Sequence, residues 1–150
     1  MPELRKNPVT SNWVIISTER SKRPSDFIKK EKEDGKAKSD SCPFCPGNED
    51  KTPPEILSYR DEERSADTPG WSVRVVPNKF PALRLDEPPP QRDSALMETV
   101  SGYGFHEVIV ESPDHQASLG EYGQDQTEAV LSALLERYRA IEGDPFIRYI

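Results

Sequence analysis

The sequence predicts an α+β fold built from short strands, one amphipathic helix and long loops. Three observations predict it. Four stretches rich in apolar and β-branched residues are too short to be helices. A single window shows helical periodicity between a capping signal and a glycine. Only 33% of residues are hydrophobic and 15 of the 150 are proline, which leaves much of the chain to loops.

The first predicted strand is 13–17 (Trp-Val-Ile-Ile-Ser), introduced by the turn chemistry of Asn7-Pro8 and Ser11-Asn12. The second, 71–76, follows Thr68-Pro69-Gly70 and is ended by Pro77. The third, 106–111, begins after Gly102-Tyr103-Gly104 and stops at Ser112-Pro113-Asp114. A helix follows. Asp125 is its predicted cap, Glu128 completes a capping box, and Gly143 lies just past its end. Thr127, Leu131, Leu134, Tyr138 and Ile141 fall on one face, with Val130 and Leu135 beside them. Such a stripe needs a sheet to lie on. A fourth strand over 146–150 would complete a strand–helix–strand unit, and it reaches the last residue without a stop signal. Two segments read as irregular: the mixed-charge run 29–40, and 86–92 around Pro88-Pro89-Pro90 as a stiff extended connector.

The length suits one domain over 1–150. Twenty basic residues against 27 acidic ones give a net charge of −7. Nucleic acid and anionic membrane are therefore excluded as partners of the overall field, which would need a positive excess. No apolar run approaches the ~20 residues that span a bilayer. The first residues lack the apolar stretch of a signal peptide, so the expectation is a soluble, cytoplasmic protein. Cys42 and Cys45 are the whole thiol inventory, which rules out a disulfide framework.

Those two cysteines are also the strongest local signal. In Cys42-Pro43-Phe44-Cys45-Pro46-Gly47, the Cys-x-x-Cys spacing lets two thiolates reach one metal ion. The alternatives are a redox dithiol and a pair of inert thiols. A thioredoxin-like site opens a helix, whereas Cys45 meets Pro46-Gly47 and polar loop, which favours a metal knuckle. Further ligands must be histidine or carboxylate, and His106 and His115 are the only histidines. They bracket the third strand, whose six residues separate its ends by roughly 20 Å, so both cannot serve one ion. His115, in the turn after Pro113-Asp114, can fold back to the knuckle; His106 is expected to make an ordinary hydrogen bond. Cys42, Cys45 and His115 are thus three expected ligands, with the fourth outside the chain, a water or a carboxylate.

Arg20-Ser21-Lys22-Arg23-Pro24 follows the first strand and suits a diphosphate, because guanidinium forks match phosphate oxygens. Basic surface turns are common, but against an acidic chain a local cationic site concentrates an anionic ligand. In Val76-Pro77-Asn78-Lys79-Phe80-Pro81, Asn78 can present its amide to a ligand beside an apolar wall from Phe80. Spacing alone favours the plainer alternative, an Asx turn with Phe80 in the core. There is no Walker loop, no Gly-x-Gly-x-x-Gly, no Gly-x-Ser-x-Gly and no His-x-His pair.

Together these segments resemble the amino-terminal half of the galactose-1-phosphate uridylyltransferase family of the histidine-triad superfamily. The resemblance rests on Leu4-Arg5-Lys6-Asn7-Pro8-Val9-Thr10 with Trp13-Val14-Ile15, Arg20 to Pro24, Cys42 to Glu49, Val76 to Leu83, Gly104-Phe105-His106-Glu107-Val108 and Ser112-Pro113-Asp114-His115, in family order. It implies a HIT-like, mostly antiparallel sheet of half-barrel type flanked by helices, with long loops. It implies nucleotidyl transfer between UDP-glucose and galactose 1-phosphate through a uridylyl-histidine intermediate. It also implies zinc on Cys42, Cys45 and His115, and contacts to the nucleotide sugar from Arg20, Ser21, Lys22 and Arg23, then Asn78 and Lys79. The family's catalytic histidine and fourth zinc ligand fall beyond Ile150. The chain is therefore expected to be an amino-terminal portion, inactive alone, of an enzyme that forms homodimers. Lys79 stands where family members often carry an acidic residue, and a related group uses ADP-sugars. An ADP-sugar phosphorylase or adenylyltransferase is the enzyme alternative, and a non-catalytic zinc-binding interaction module the alternative from another class.

Overall fold

The computed structural model describes residues 2–17, 42–60, 64–86, 92–93 and 98–150. Seven strands and one helix lie along them: β1 (Glu3–Lys6), β2 (Trp13–Ile16), β3 (Leu57–Arg60), β4 (Trp71–Pro77), β5 (Arg92–Asp93), β6 (Thr99–Ser101), β7 (Glu107–Val110) and α1 (Gln124–Glu142). Short 3-10 turns at Glu49–Lys51 and Leu119–Glu121 complete the set. The class is α+β, with two small antiparallel sheets, ordered β2-β1-β6-β5 and β3-β4-β7. No helix among the described residues is long and apolar enough to cross a membrane. Those residues fall into two compact units: segments within Met1–Ile28, Phe80–His106 and Ile141–Ile150, and segments within Lys29–Lys79 and Glu107–Ala140.

In the first unit β1 and β2 form a hairpin, Lys6 opposite Trp13. The Asn7 side chain closes its turn by accepting from the amides of Val9 (2.9 Å) and Thr10 (3.1 Å). This is the Asx chemistry that marks the turn in the sequence. β1 carries no strand signal of its own, because Glu3-Leu4-Arg5-Lys6 holds one apolar residue. Pairing with β2 on one side and β6 on the other supplies what local propensity does not.

The second unit positions the candidate site. β4 is its central strand, paired with β3 from Leu57↔Val75 and with β7 from Arg74↔Val110 to Pro77↔Glu107. Val73 and Val75 pack against Val130 and Ala133 of α1 and form the core. The predicted stripe is rotated from the contact face and meets it at Val130. Leu131 and Leu134 are 61% and 52% exposed, while Ala133 is fully buried. Polar anchors select the face. The Gln126 amide donates to the carbonyls of Ser72 (3.0 Å) and Glu111 (2.5 Å), and Arg137 binds Glu107 with two bonds of 2.8 and 2.7 Å. A one-turn-spaced Gln-x3-Val-x2-Ala-x3-Arg pattern carries little hydrophobic signal, so periodicity alone misplaces it.

Two further expectations are corrected. α1 begins at Gln124, so Asp125 lies in its first turn rather than at the cap, where it still complements the helix dipole. The capping box belongs instead to Ser118 and Glu121, on the short turn before the helix. Residues 146–150 form no strand. The Asp144 carboxylate accepts from the Phe146 amide at 2.8 Å, and the Asp144 carbonyl from the Ile147 amide at 3.2 Å. That turn ends the chain direction a strand would need, and Phe146 packs edge-on against Tyr103 with ring centres 5.7 Å apart. The runs 29–40 and 87–91 lie outside the described residues.

Candidate metal centre

Two loops, both tied to the β4–β7 pair, build the site. The first is the knuckle after residue 41. The Cys45 amide donates back to the Cys42 carbonyl (3.3 Å), and the Asn48 amide to the Cys45 carbonyl (3.1 Å). The Asn48 side chain also donates to the Cys42 carbonyl, at 2.8 Å. Gly47 makes the reversal at φ +91°, a conformation L side chains rarely adopt. The second loop leaves β7. Ser112 Oγ accepts from the Asp114 amide (3.1 Å) and Asp114 Oδ1 from the Gln116 amide (3.0 Å), a pair of turns with His115 between them.

These loops bring Cys42, Cys45 and His115 together, as the sequence predicts. One ligand atom from each lies within 4.8 Å of the others, and Cys45 Sγ stands 3.1 Å from His115 Nδ1. The set fits a metal ion. Bonds of 2.3 Å from a tetrahedral ion place two sulfurs about 3.8 Å apart, inside that spacing. Cys45 is buried, Cys42 half-buried and His115 exposed, so the ion would sit at the rim of the fold. A cavity of 320 Å³ opens there, lined by Cys42, Cys45, Val110, His115 and Tyr122 among others. Burial pushes the Cys45 thiol up, and the neighbouring Cys42 adds to the rise by hydrogen bond and charge. A bound cation acts in the opposite sense and favours the thiolate. The knuckle runs into a three-residue 3-10 turn, Glu49–Lys51, rather than the helix of a thioredoxin-like redox site.

One residue of the centre carried no sequence assignment. Glu49 is only 5% exposed, and its carboxylate accepts from the Gly47 amide and from the Trp71 indole, each at 2.9 Å. An acid four residues past Cys45 was visible, but nothing in the sequence paired it with Trp71.

The other candidates are placed less completely. Arg20, Ser21, Lys22 and Arg23 lie outside the described residues. Asn78 and Lys79 leave the end of β4, Asn78 half-buried and Lys79 exposed. Phe80 is 67% exposed, which overturns the core alternative for it. His106 sits just before β7 and its Nδ1 accepts from the Ala82 amide at 2.8 Å, the ordinary bond expected of it.

The family model described as "Galactose-1-phosphate uridyl transferase, N-terminal domain" matches residues 1–149. An ADP-glucose phosphorylase of Arabidopsis thaliana is 38% identical over 99% of this chain and 42% of its own length. A galactose-1-phosphate uridylyltransferase of Thermotoga maritima is 28% identical over 100% of the chain and 39% of its own length. A solved structure described as "Structure of uridylyltransferase" superposes with a TM-score of 0.63 at 26% identity, covering 98% of this chain and 37% of that one. The chain thus spans well under half of each of these proteins.

Proposed function

The chain belongs to the galactose-1-phosphate uridyl transferase family, matching its amino-terminal domain, and from that premise we propose that the whole protein transfers a nucleotidyl group from a nucleotide sugar. UDP-glucose is the donor and galactose 1-phosphate the acceptor in this reading. The observation that carries it is the convergence of Cys42, Cys45 and His115 within a match of 149 residues. These residues would hold zinc, whose chemistry here is to lock two loops to one sheet.

The chain's own residues bind and orient the donor. Arg20, Lys22 and Arg23 neutralise the diphosphate, with Ser21 donating a hydroxyl. Asn78, fixed at the end of the buried strand β4, offers an amide to the same ligand, with Lys79 beside it. Neither histidine here is the nucleophile: His115 belongs to the metal set and His106 accepts from Ala82. The uridylyl-histidine step uses a histidine from a segment outside these 150 residues.

A second reading has a specific observation in its favour. Identity to the ADP-glucose phosphorylase is 38%, against 28% to the Thermotoga uridylyltransferase. Under it the donor is ADP-glucose. Calorimetry of the full-length protein with UDP-glucose and with ADP-glucose decides between them, the true donor binding at least tenfold tighter. Tight binding of neither donor would leave the family's reaction without support.

Arg23→Ala is expected to weaken donor binding in the same titration. Loss of a hydrogen bond to a charged phosphate costs about 1.5–3 kcal/mol, roughly 10- to 100-fold in Kd. Unchanged affinity would favour a non-catalytic zinc module.

A further inference from the structure

We infer that Glu49 is the positioning residue of the metal centre, setting the distance between the two sulfurs and the imidazole. The inference rests on the metal reading of Cys42, Cys45 and His115.

Glu49 is a carboxylate in an almost dry place, 5% exposed, and ionised groups are rarely tolerated there without specific partners. Both oxygens have one. Oε2 accepts from the Gly47 amide, two residues past Cys45, and Oε1 from the Trp71 indole at the first residue of β4, each at 2.9 Å. With both oxygens so used, Glu49 does not reach into the site as a ligand, and it does not belong to the group whose atoms converge.

Its effect is geometric. The bonds from Asn48 and Cys45 to backbone carbonyls hold the knuckle's shape. Glu49 attaches the knuckle to the sheet. Its backbone carbonyl adds to it, accepting from Thr52 Oγ1 at 2.9 Å, while Thr52 Oγ1 accepts from Arg74 of β4 at 2.9 Å. His115 reaches the same strand by another route, through β7, which pairs with β4 at Arg74↔Val110. Sulfur and imidazole donors are thus referenced to one strand, and Glu49–Trp71 is a direct side-chain link on the sulfur side. Groups that orient metal ligands from behind typically contribute 10- to 100-fold in metal affinity.

The test compares full-length wild type with Glu49→Gln and Trp71→Phe, stripped of metal. Zinc affinity is read by competition with a chromophoric chelator, and ligand geometry by the visible bands of the Co²⁺-loaded proteins. Glu49→Gln is expected to lower zinc affinity roughly 10- to 100-fold and to shift the Co²⁺ bands. Trp71→Phe, which removes only the indole donor from that link, should move both readouts the same way. If Glu49→Gln does not fold, Trp71→Phe alone decides. Wild-type affinity and an unshifted Co²⁺ spectrum in a folded variant overturn the inference while leaving the metal reading intact. A wild type that takes up neither ion removes the metal reading, and the inference with it.

Discussion

Cys45→Ser is expected to abolish stable metal binding. Of the three converging donors Cys45 is the buried one, 4% exposed and 3.1 Å from His115 Nδ1. A serine hydroxyl stays protonated near neutral pH and is a far poorer ligand for a borderline-soft ion than a thiolate. The expected loss in affinity is on the order of a thousandfold or more, a scale consistent with the large apparent energies of thiolate zinc sites. Stability should follow by mass action. A metal held at 1,000 times its Kd contributes about 4 kcal/mol, so chelation of the wild type and Cys45→Ser should lower Tm by similar amounts. His115→Ala should do less, because His115 is exposed and water can take its place. Metal content after gel filtration, with melting curves in the presence and absence of EDTA, checks both. A Cys45→Ser protein retaining stoichiometric metal would contradict the assignment.

Arg74→Met is expected to cost about 3–5 kcal/mol of stability, the range for breaking a buried ion pair. Arg74 is 1% exposed in the middle of β4. Its guanidinium reaches Glu55 (3.0 Å), Thr52 Oγ1 (2.9 Å) and Asp67 (2.7 Å). Methionine fills the volume but takes one cation from the two carboxylates. Glu55, 6% exposed, keeps the Arg60 guanidinium, whereas Asp67 is 36% exposed and turns to water. The loss should therefore sit at the lower end of the range. Adding Asp67→Asn should recover part of it, since the carboxylate left without a cation goes with it. Urea unfolding measures both. A cost below 1 kcal/mol for Arg74→Met would show that the network is not a support of β4.

The sequence and the structure agree best where local chemistry decides. The knuckle needs only Cys-x-x-Cys and a glycine able to reverse the chain, and the His115 turn needs only Ser112, Pro113 and Asp114. Both are short-range patterns, and their convergence followed from counting available ligands. β4 and β7 were readable because they are runs of Val and Ile bounded by Gly and Pro. What escaped depends on distant partners. β1 has too few apolar residues to be recognised without β2 and β6 beside it. Residues 146–150 have the composition of a strand, but Asp144 turns the chain and no described strand pairs with them. The contact face of α1 is chosen by Gln126 and Arg137 reaching Ser72, Glu111 and Glu107, contacts between residues 15 to 54 positions apart. Glu49 joins Trp71 across 22 positions for the same reason.

X-ray absorption at the zinc edge of the purified full-length protein tests the metal centre most directly. One zinc per chain is predicted, with two sulfurs at about 2.3 Å and at least one imidazole nitrogen at about 2.0–2.1 Å. A metal-free protein with Cys42 and Cys45 joined in a disulfide, or an ion surrounded by oxygen and nitrogen without sulfur, would contradict it.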